Sequence, residues 1–417
     1  MAPPTPEHPS TDAQPALAAL TAALGGEGPA VELLPGGTPG AYRIAAAADA
    51  PEGTAAVVRT SGSTGTPKRT ALTVESLAAS SMATALRLGF EGQWLLALPV
   101  HYVAGLSVLT RSLFAGTRPW ALDLSRGFTA EAFTEAAGQL TDRTRITSLV
   151  PTQLQRLLAD GSATTLAALR RFDAILLGGG RAPDALREEA RRQGLRIHLS
   201  YGMSETCGGC VYDAEPLPGV RIAAREGRIW IGGEVVAGGY LGDPELDRRH
   251  FSVDADGTRW FMTDDLGTVG GSADAEAEGP EDDAGSARPG AGGTLVIEGR
   301  VDDVVNTGGV KVSAGQVQRV AEAVPGVSAA LVVGVPDEEW GTAVGILLVP
   351  HTGGATPGQA PAAAAGLREE IAQAVRTELG AAAVPRRWAV LDALPLLPHG
   401  KPDRQAAISL LERAGRE

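Results

Sequence analysis

Residues 60–68, TSGSTGTPK, constrain this chain more than any other stretch. An apolar run at 55–58, read as a short buried strand, leads into glycines, hydroxyl side chains, a proline and a lysine. A glycine brings its backbone N–H close to an oxyanion because no Cβ intervenes. Ser and Thr hydroxyls add donors, and successive N–H groups in a tight turn form an anion-binding concavity. Lys68 supplies a mobile point charge that suits phosphate. The stretch therefore reads as a polyphosphate loop, with Thr60, Ser61, Gly62, Ser63, Thr64, Gly65 and Lys68 as its candidates. The spacing Gly62, Gly65, Lys68, with Arg69 following, is not the GxxxxGK[ST] of P-loop NTPases. A flexible Gly/Ser loop is the plain alternative, and the full order of nine residues argues against it.

Lysine usage points the same way. Of 36 basic residues only Lys68, Lys311 and Lys401 are lysines, and all three sit in glycine-containing, loop-like stretches. Arginine is a rigid fork and lysine a slim ammonium on a flexible stem. These positions read as places that need the slim cation.

A length of 417 residues suits two domains, and a hydrophobic content of 44% supports a large core. The net charge of −13 argues against a nucleic-acid partner or an anionic membrane surface. No apolar run reaches the ~18 residues of a membrane span. Residues 1–15 lack the charged start and apolar core of a signal peptide and read as a disordered lead, so a cytoplasmic location is expected by default. Cys207 and Cys210 form a CxxC. A zinc site needs four ligands, and no second Cys or His pair is nearby, so two reduced thiols in a packed loop are favoured over a metal or redox site.

The patterning predicts a strand, the phosphate loop and a helix over 76–88. Then come a strand at 94–98, a loop at 101–105 and an apolar helix at 106–114. Helices at 129–140, 153–159 and 183–193 alternate with strands at 146–150, 174–177 and 196–199. Such alternation implies parallel pairing with right-handed crossovers. Ligands then sit off the carboxyl ends of the strands. The phosphate loop, the 101–105 loop, Gly178, Gly179 and Gly180, and a loop at 200–205 are expected to converge on one rim. From 219 to 261 the pattern is β-rich. Residues 270–293 are Gly, Ala, Ser and acid, which cannot bury enough to order themselves, and read as an exposed disordered loop. Residues 294–401 read as a small α+β domain with a second surface loop at 351–364. The expected organisation is a lead and shortened N-terminal part over 1–50, a larger α/β domain over 51–298 and a small mobile domain over 299–417.

Four further stretches carry chemistry. In SYGMSET, Tyr201 suits stacking on a base across the Gly202 turn, and Glu205 suits a Mg²⁺ ion that bridges phosphates. In TDDLG at 263–267, one of two acids suits ribose hydroxyls. GRVDD at 299–303 marks the start of the small domain, and PHGK at 398–401 is a loop lysine. Singly, each is matched by a turn, a cap or a solvated charge.

Together and in this order they resemble the adenylate-forming superfamily of acyl-CoA synthetases, adenylation domains and luciferases. TSGSTGTPK resembles the phosphate loop, YGMSET the YGxTE motif, TDDLG the TGD motif, GRVDDVVNTGGVKVSAGQV the hinge motif and PHGK the PxGK motif. The resemblance implies a large α/β domain with a small mobile C-terminal domain, ATP and Mg²⁺, and a carboxylate converted to an acyl-adenylate and passed to a thiol. Residue by residue, it implies that the 60–68 loop and Lys68 hold the β- and γ-phosphates. Gly178, Gly179, Gly180 and Tyr201 would line adenine. Ser204 and Glu205 would meet phosphate and metal, and Asp265 and Arg300 the ribose. Asp302 matches the hinge, and Lys401 the lysine that bridges the carboxylate and the α-phosphate.

The chain also departs from the pattern. Fifty-nine residues precede the phosphate loop where the family usually has well over a hundred. Asp264 replaces the usual Gly and Gln316 the usual Glu. Tyr102 stands where the LPxxH histidine is expected, with His101 one place before it. Within the superfamily, LPVHYVAGLSVLTRSL and YGMSETCGGCVYD look most like the o-succinylbenzoate–CoA ligases of menaquinone synthesis. That resemblance places Arg111 on the acid's second carboxylate, with His101, Tyr102 and Met203 around the acyl group. Physically, a buried second carboxylate needs a fixed cation; a surface arginine is the alternative for Arg111. The implied partners are a small carboxylic acid, ATP and CoA, with a homodimer left open. Two other readings remain: an aryl-acid adenylase that loads a carrier protein, and a catalytically dead nucleotide-binding regulator.

Overall fold

The computed structural model describes residues 12–60, 67–270, 293–351, 360–397 and 402–414. The α/β class read from the sequence is the class observed. The chain forms two compact units: Met1–Ala182 with Glu188–Thr263 and Thr268–Val296, and a smaller one of Pro183–Arg187, Asp264–Gly267 and Ile297–Glu417.

In the larger unit a seven-stranded sheet runs in the order Glu215–Pro216, Gly208–Tyr212, Ile197–Met203, Ala174–Gly178, Arg145–Leu149, Gln93–Leu96, Trp120–Ala121. The last five pair in parallel, as alternating strands and helices dictate. Gly208–Tyr212 and Glu215–Pro216 extend the sheet antiparallel. The strand Ile197–Met203 continues past 199, so residues 200–203, expected in a loop, belong to a strand that pairs with Gly208–Tyr212. Alternating small polar and apolar residues there meet a partner that single-sequence patterning does not reveal.

The strand before the phosphate loop does not join this sheet. Thr54–Thr60 lies in a second, five-stranded sheet, ordered Gly239–Leu241, Lys68–Thr73, Thr54–Thr60, Val31–Pro35, Tyr42–Ala46. The sequence reading passed from the loop directly to a helix, but a strand, Lys68–Thr73, intervenes and pairs antiparallel with Thr54–Thr60. Its KRTALT sequence carries two threonines, which favour strands. The candidate loops therefore come from two sheets rather than from one rim.

Local signals fix the helix that follows. Thr73 Oγ1 accepts from Ser76 N at 3.1 Å, and Ser76 Oγ accepts from Thr73 N at 3.0 Å. This reciprocal cap satisfies two otherwise orphaned donors and starts the helix Val74–Leu88. The helix Gln14–Leu24 begins inside the stretch read as a lead. Its Pro15 lies in the first turn, where a missing N–H breaks no bond. The core packs Leu17, Leu20, Leu72, Leu77, Trp94, Leu106, Leu109 and Ile146 into one cluster.

The smaller unit carries a three-stranded sheet, Val327–Asp337, Gly341–Pro350 and Arg387–Val390. Strand alternation splits its residues between two faces. Val332, Ile346 and Leu348 pack with Val317, Ile371 and Val375 of the helices Ala314–Ala323 and Ala360–Leu379. Leu331, Val333 and Leu347 pack with Ala407 and Leu411 of Arg404–Ala414. The second surface loop expected at 351–364 is shortened by the helix Ala360–Leu379, whose start is alanine-rich, the best composition for a helix. Of the low-complexity stretch, residues 271–292 lie outside the described residues. Among the described residues no helix is long and apolar enough to cross a membrane.

Candidate active site

Ser61, Gly62, Ser63, Thr64, Gly65 and Lys401 lie outside the described residues. The neck of the phosphate loop is nevertheless defined. Thr60 and Lys68 are direct partners across the strand pair. Successive residues of a strand face opposite sides. Lys68 turns its Nζ over the ring of Tyr240, 5.3 Å from its centroid. Arg69 turns the other way, donating to Glu32 at 3.1 Å and to Asp49 at 2.5 Å. Glu32 is buried, yet Arg59 and Arg69 hold its pKa below the usual range against the opposing effect of burial. The two adjacent cations thus have different work. Arg69 locks the hairpin to the neighbouring strand, and Lys68 is turned to the Tyr240 ring.

Tyr240 was absent from the sequence reading. It lies in Gly239–Leu241, opposite Thr70 and so on the Lys68 face of the sheet. Its phenol donates to Glu205 Oε1 at 2.6 Å. Glu205 is buried in the 3₁₀ turn Ser204–Thr206, at the end of Ile197–Met203. The Glu205 carbonyl accepts from Ala237 N at 2.9 Å, and Ala71 O accepts from Gly238 N at 2.8 Å. These bonds tie the two sheets together. Lys68, Tyr240 and Glu205 form one row, a cation over the ring and a carboxylate on its hydroxyl. The only signal for Tyr240 in the sequence is an aromatic in the turn-like AGGYLGD, which reads as a loop.

Gly178 closes Ala174–Gly178 and pairs with Ser200, placing the glycine triplet beside the SYGMSET strand. Gly179 has φ +77°, a left-handed conformation that glycine enters at no steric cost. A Cβ on Gly202 would strike the Gly208 carbonyl, so glycine is required where the strand Gly208–Tyr212 crosses close. Gly178, Gly179, Gly180, Tyr201, Gly202, Met203 and Ser204 thus lie along two adjacent strand ends. Carbonyls and N–H groups of such ends suit a planar base, and a carboxylate fixed by a phenol suits a hard cation. The donor set fits a nucleotide with its metal.

On the other side, the His101 and Tyr102 rings lie tilted at 51° with centroids 4.3 Å apart, and burial raises the Tyr102 pKa. Tyr102 caps the helix Val103–Phe114, which carries Arg111. Arg111 is not a surface residue. It is 5% exposed, and its guanidinium lies 5.5 Å from the Trp94 ring centroid. Its Nε and Nη2 have no hydrogen-bond partner among the described residues. A buried guanidinium with unpaired donors suits a carboxylate. Arg111 also lines a cavity of about 610 Å³ between Val74–Leu88 and Val103–Phe114, with Trp94, Phe90, Phe114 and Ile146 in its wall. The wall of this cavity does not include His101, Tyr102 or Met203. Cys207 and Cys210 are buried thiols outside any disulfide, with burial pushing the Cys207 pKa up to about 12.

Asp265, Arg300 and Asp302 belong to the smaller unit and form their own cluster. Arg300 donates to Asp265 Oδ1 at 3.1 Å and to both oxygens of Asp302, at 2.8 and 3.1 Å. Asp264, in the place of the family glycine, lies 3.9 Å from the same guanidinium. The proposed ribose pair and the proposed hinge are thus joined through one arginine.

The chain matches the family described as AMP-binding enzyme over residues 6–225, and the AMP-binding enzyme C-terminal domain over residues 316–401. It is 38% identical over 396 residues to a probable 2-succinylbenzoate–CoA ligase of Mycobacterium tuberculosis, covering 94% of each chain. It is 32% identical over 272 residues to the 2-succinylbenzoate–CoA ligase of Salmonella typhimurium, covering 63% of this chain and 50% of that one. Among solved structures, o-succinylbenzoate CoA synthetase from Bacillus subtilis in complex with its acyl-adenylate intermediate is similar, with a TM-score of 0.63 and 28% identity. That match covers 87% of this chain and 70% of the other.

Proposed function

The chain belongs to the AMP-binding enzyme family, and we propose that within it this protein is an ATP-dependent ligase that joins o-succinylbenzoate to CoA. The observation that carries the substrate is Arg111, a buried guanidinium with two free donors beside an aromatic wall. o-Succinylbenzoate has an aromatic ring and two carboxylates, of which one is activated. The other must be paired if it is to be buried, because an isolated buried charge is strongly unfavourable. Trp94 offers the ring a wall, and Arg111 offers the spare carboxylate a fork.

The chemistry follows from the charges. The activated carboxylate attacks the α-phosphorus of ATP in line, forming the acyl-adenylate and releasing pyrophosphate. Two anions approach to bonding distance, and at ~4 Å in an effective dielectric of ~20 their repulsion is ~4 kcal/mol. Lys68 at the loop neck and Lys401 are the cations assigned to offset it, Lys68 at the β- and γ-phosphates and Lys401 between the carboxylate and the α-phosphate. Glu205, oriented by Tyr240, would hold Mg²⁺, which neutralises developing phosphate charge. Gly178, Gly179, Gly180 and Tyr201 would hold adenine, and Asp265 and Arg300 the ribose. The CoA thiol then attacks the mixed anhydride, and AMP leaves.

The deciding experiment measures pyrophosphate release over a panel of aryl and acyl acids, with and without CoA. The expected result is release with o-succinylbenzoate, weak release with benzoate, and acyl-CoA formed only when CoA is present. Equal release with benzoate and o-succinylbenzoate would remove the substrate assignment. Adenylate formed without transfer to free CoA would point instead to a carrier-protein acceptor.

A further inference from the structure

The amino-end edge of the parallel sheet carries a second recess, of about 350 Å³, lined by Arg143, Arg145, Arg170, Arg171 and Arg196 with Thr141, Asp142 and Asp173. Arg145 opens the strand Arg145–Leu149, and Arg170 ends the helix Ala163–Arg170 with Arg171 directly after it. Arg196 directly precedes Ile197–Met203. A five-residue parallel strand is about 15 Å long, so this edge is a strand length away from Gly178 and Ser200. From the geometry we infer that this recess is a second anion site, shaped for an oligophosphate and separate from the nucleotide rim.

Three of the arginines are anchored. Arg145 is buried and donates to the carbonyls of Asp142, Leu140 and Ala137, at 2.9, 2.7 and 3.4 Å. Arg170 is held by Gln193, with 2.8 Å contacts to both its carbonyl and its side-chain oxygen. Arg196 donates to Phe172 O at 2.7 Å and Asp173 Oδ1 at 3.2 Å. Guanidinium groups fixed in this way lose little further freedom when they accept a ligand. Asp173 is consumed inside the wall, since its other oxygen accepts from Arg145 N at 3.0 Å. The guanidinium groups of Arg143 and Arg171 carry no hydrogen bond or ion pair to a described residue, and both are exposed at the recess.

Charge makes the recess unusual for this chain. Five arginines face two aspartates in a protein whose net charge is −13. Arg145 feels the crowding: burial and the neighbouring Arg171 both lower its basicity. Like charges held together in this way favour a ligand that brings several negative charges at once. Guanidinium forks match phosphate oxygens bidentately. A single phosphate is small for the volume, and an oligophosphate, bare or carried on a nucleoside, supplies both the charge and the length.

The test is calorimetric titration of the full chain with inorganic tripolyphosphate, in 150 mM salt without added metal. Wild type should bind at two sites. The Arg143→Ala/Arg171→Ala variant should lose one of them, with that Kd raised at least ~10-fold, while its turnover stays within twofold of wild type. Lys68→Ala should lose the other. The Arg143→Lys/Arg171→Lys variant, which keeps the charge and removes the forks, should also weaken the recess site. Titration with CoA in place of tripolyphosphate separates a nucleoside-borne oligophosphate from a bare one, according to which binds more tightly to Lys68→Ala. A single tripolyphosphate site in wild type, or an unchanged isotherm in both arginine variants, would overturn the inference.

Discussion

The two edges of the seven-stranded sheet share a backbone and differ in almost everything else. At the carboxyl ends lie Gly178, Gly179, Gly180, Tyr201, Gly202 and Ser204, small or hydroxyl-bearing residues with one buried carboxylate, Glu205. At the amino ends lie Arg143, Arg145, Arg170, Arg171 and Arg196. The first edge offers backbone groups, which are fixed by the fold and take a ligand of defined shape. The second offers long charged side chains, which read charge and are tolerant of shape. On the proposals above, one scaffold would carry a nucleotide site at one edge and an anion site at the other. The apolar, buried residues 174–177 between them say nothing about either.

Substitutions at the carboxyl-end site should cost far more turnover than those at the amino end. The largest effect is expected at Lys68. Lys68→Ala removes the cation at the loop neck and should slow ATP–pyrophosphate exchange by at least ~100-fold, the ~3 kcal/mol of a positioned charge. A loss of less than fivefold would deny the 60–68 loop its phosphate role.

Next is Arg111. Arg111→Ala should lower kcat/KM for o-succinylbenzoate by roughly 30- to 150-fold, or ~2–3 kcal/mol, chiefly through the KM of the acid. The KM for ATP should stay within twofold. An unchanged KM for the acid would leave the buried guanidinium without a ligand and weaken the substrate assignment.

The smallest effect expected at this site is at Tyr240. Tyr240→Phe keeps the ring under Lys68 and removes the hydroxyl that orients Glu205. One hydrogen bond to a charged group is worth about 1.5 kcal/mol at the low end of its range, so the Mg²⁺ concentration for half-maximal rate should rise ~10-fold. Thermal stabilisation by ATP with Mg²⁺ should fall, while the KM of the acid stays put. A loss of stability without any change in Mg²⁺ dependence would make Tyr240 a packing residue only. Against these, the twofold limit set for Arg143→Ala/Arg171→Ala is the contrast that separates the two edges.

Motifs were legible where chemistry fixes residue order. The nine residues of the phosphate loop, SYGMSET and the GRVDD stretch are contiguous, so spacing alone marks them. The helix Val74–Leu88 was legible because its cap is local. Tyr240 was not legible, because its partners Lys68 and Glu205 lie 172 and 35 residues away in a chain whose pairing has to be known first. The strand Lys68–Thr73 was hidden because its partners, Thr54–Thr60 and Gly239–Leu241, are set by the sheet and not by its own alternation.

By itself, then, the sequence determined the α/β class, the order of the motifs and the residue types that a nucleotide and a carboxylate require. These are properties of neighbours along the chain, where capping, turn chemistry and periodicity act. Tertiary structure alone decided that the hairpin of Thr54–Thr60 and Lys68–Thr73 and the glycine triplet come from different sheets, and that Arg69 pairs with Glu32 and Asp49 while Lys68 turns to the Tyr240 ring. It alone buried Arg111 with free donors and gathered five scattered arginines at one edge. Each of these depends on long-range pairing and on desolvation, and neither is written in any short window of sequence.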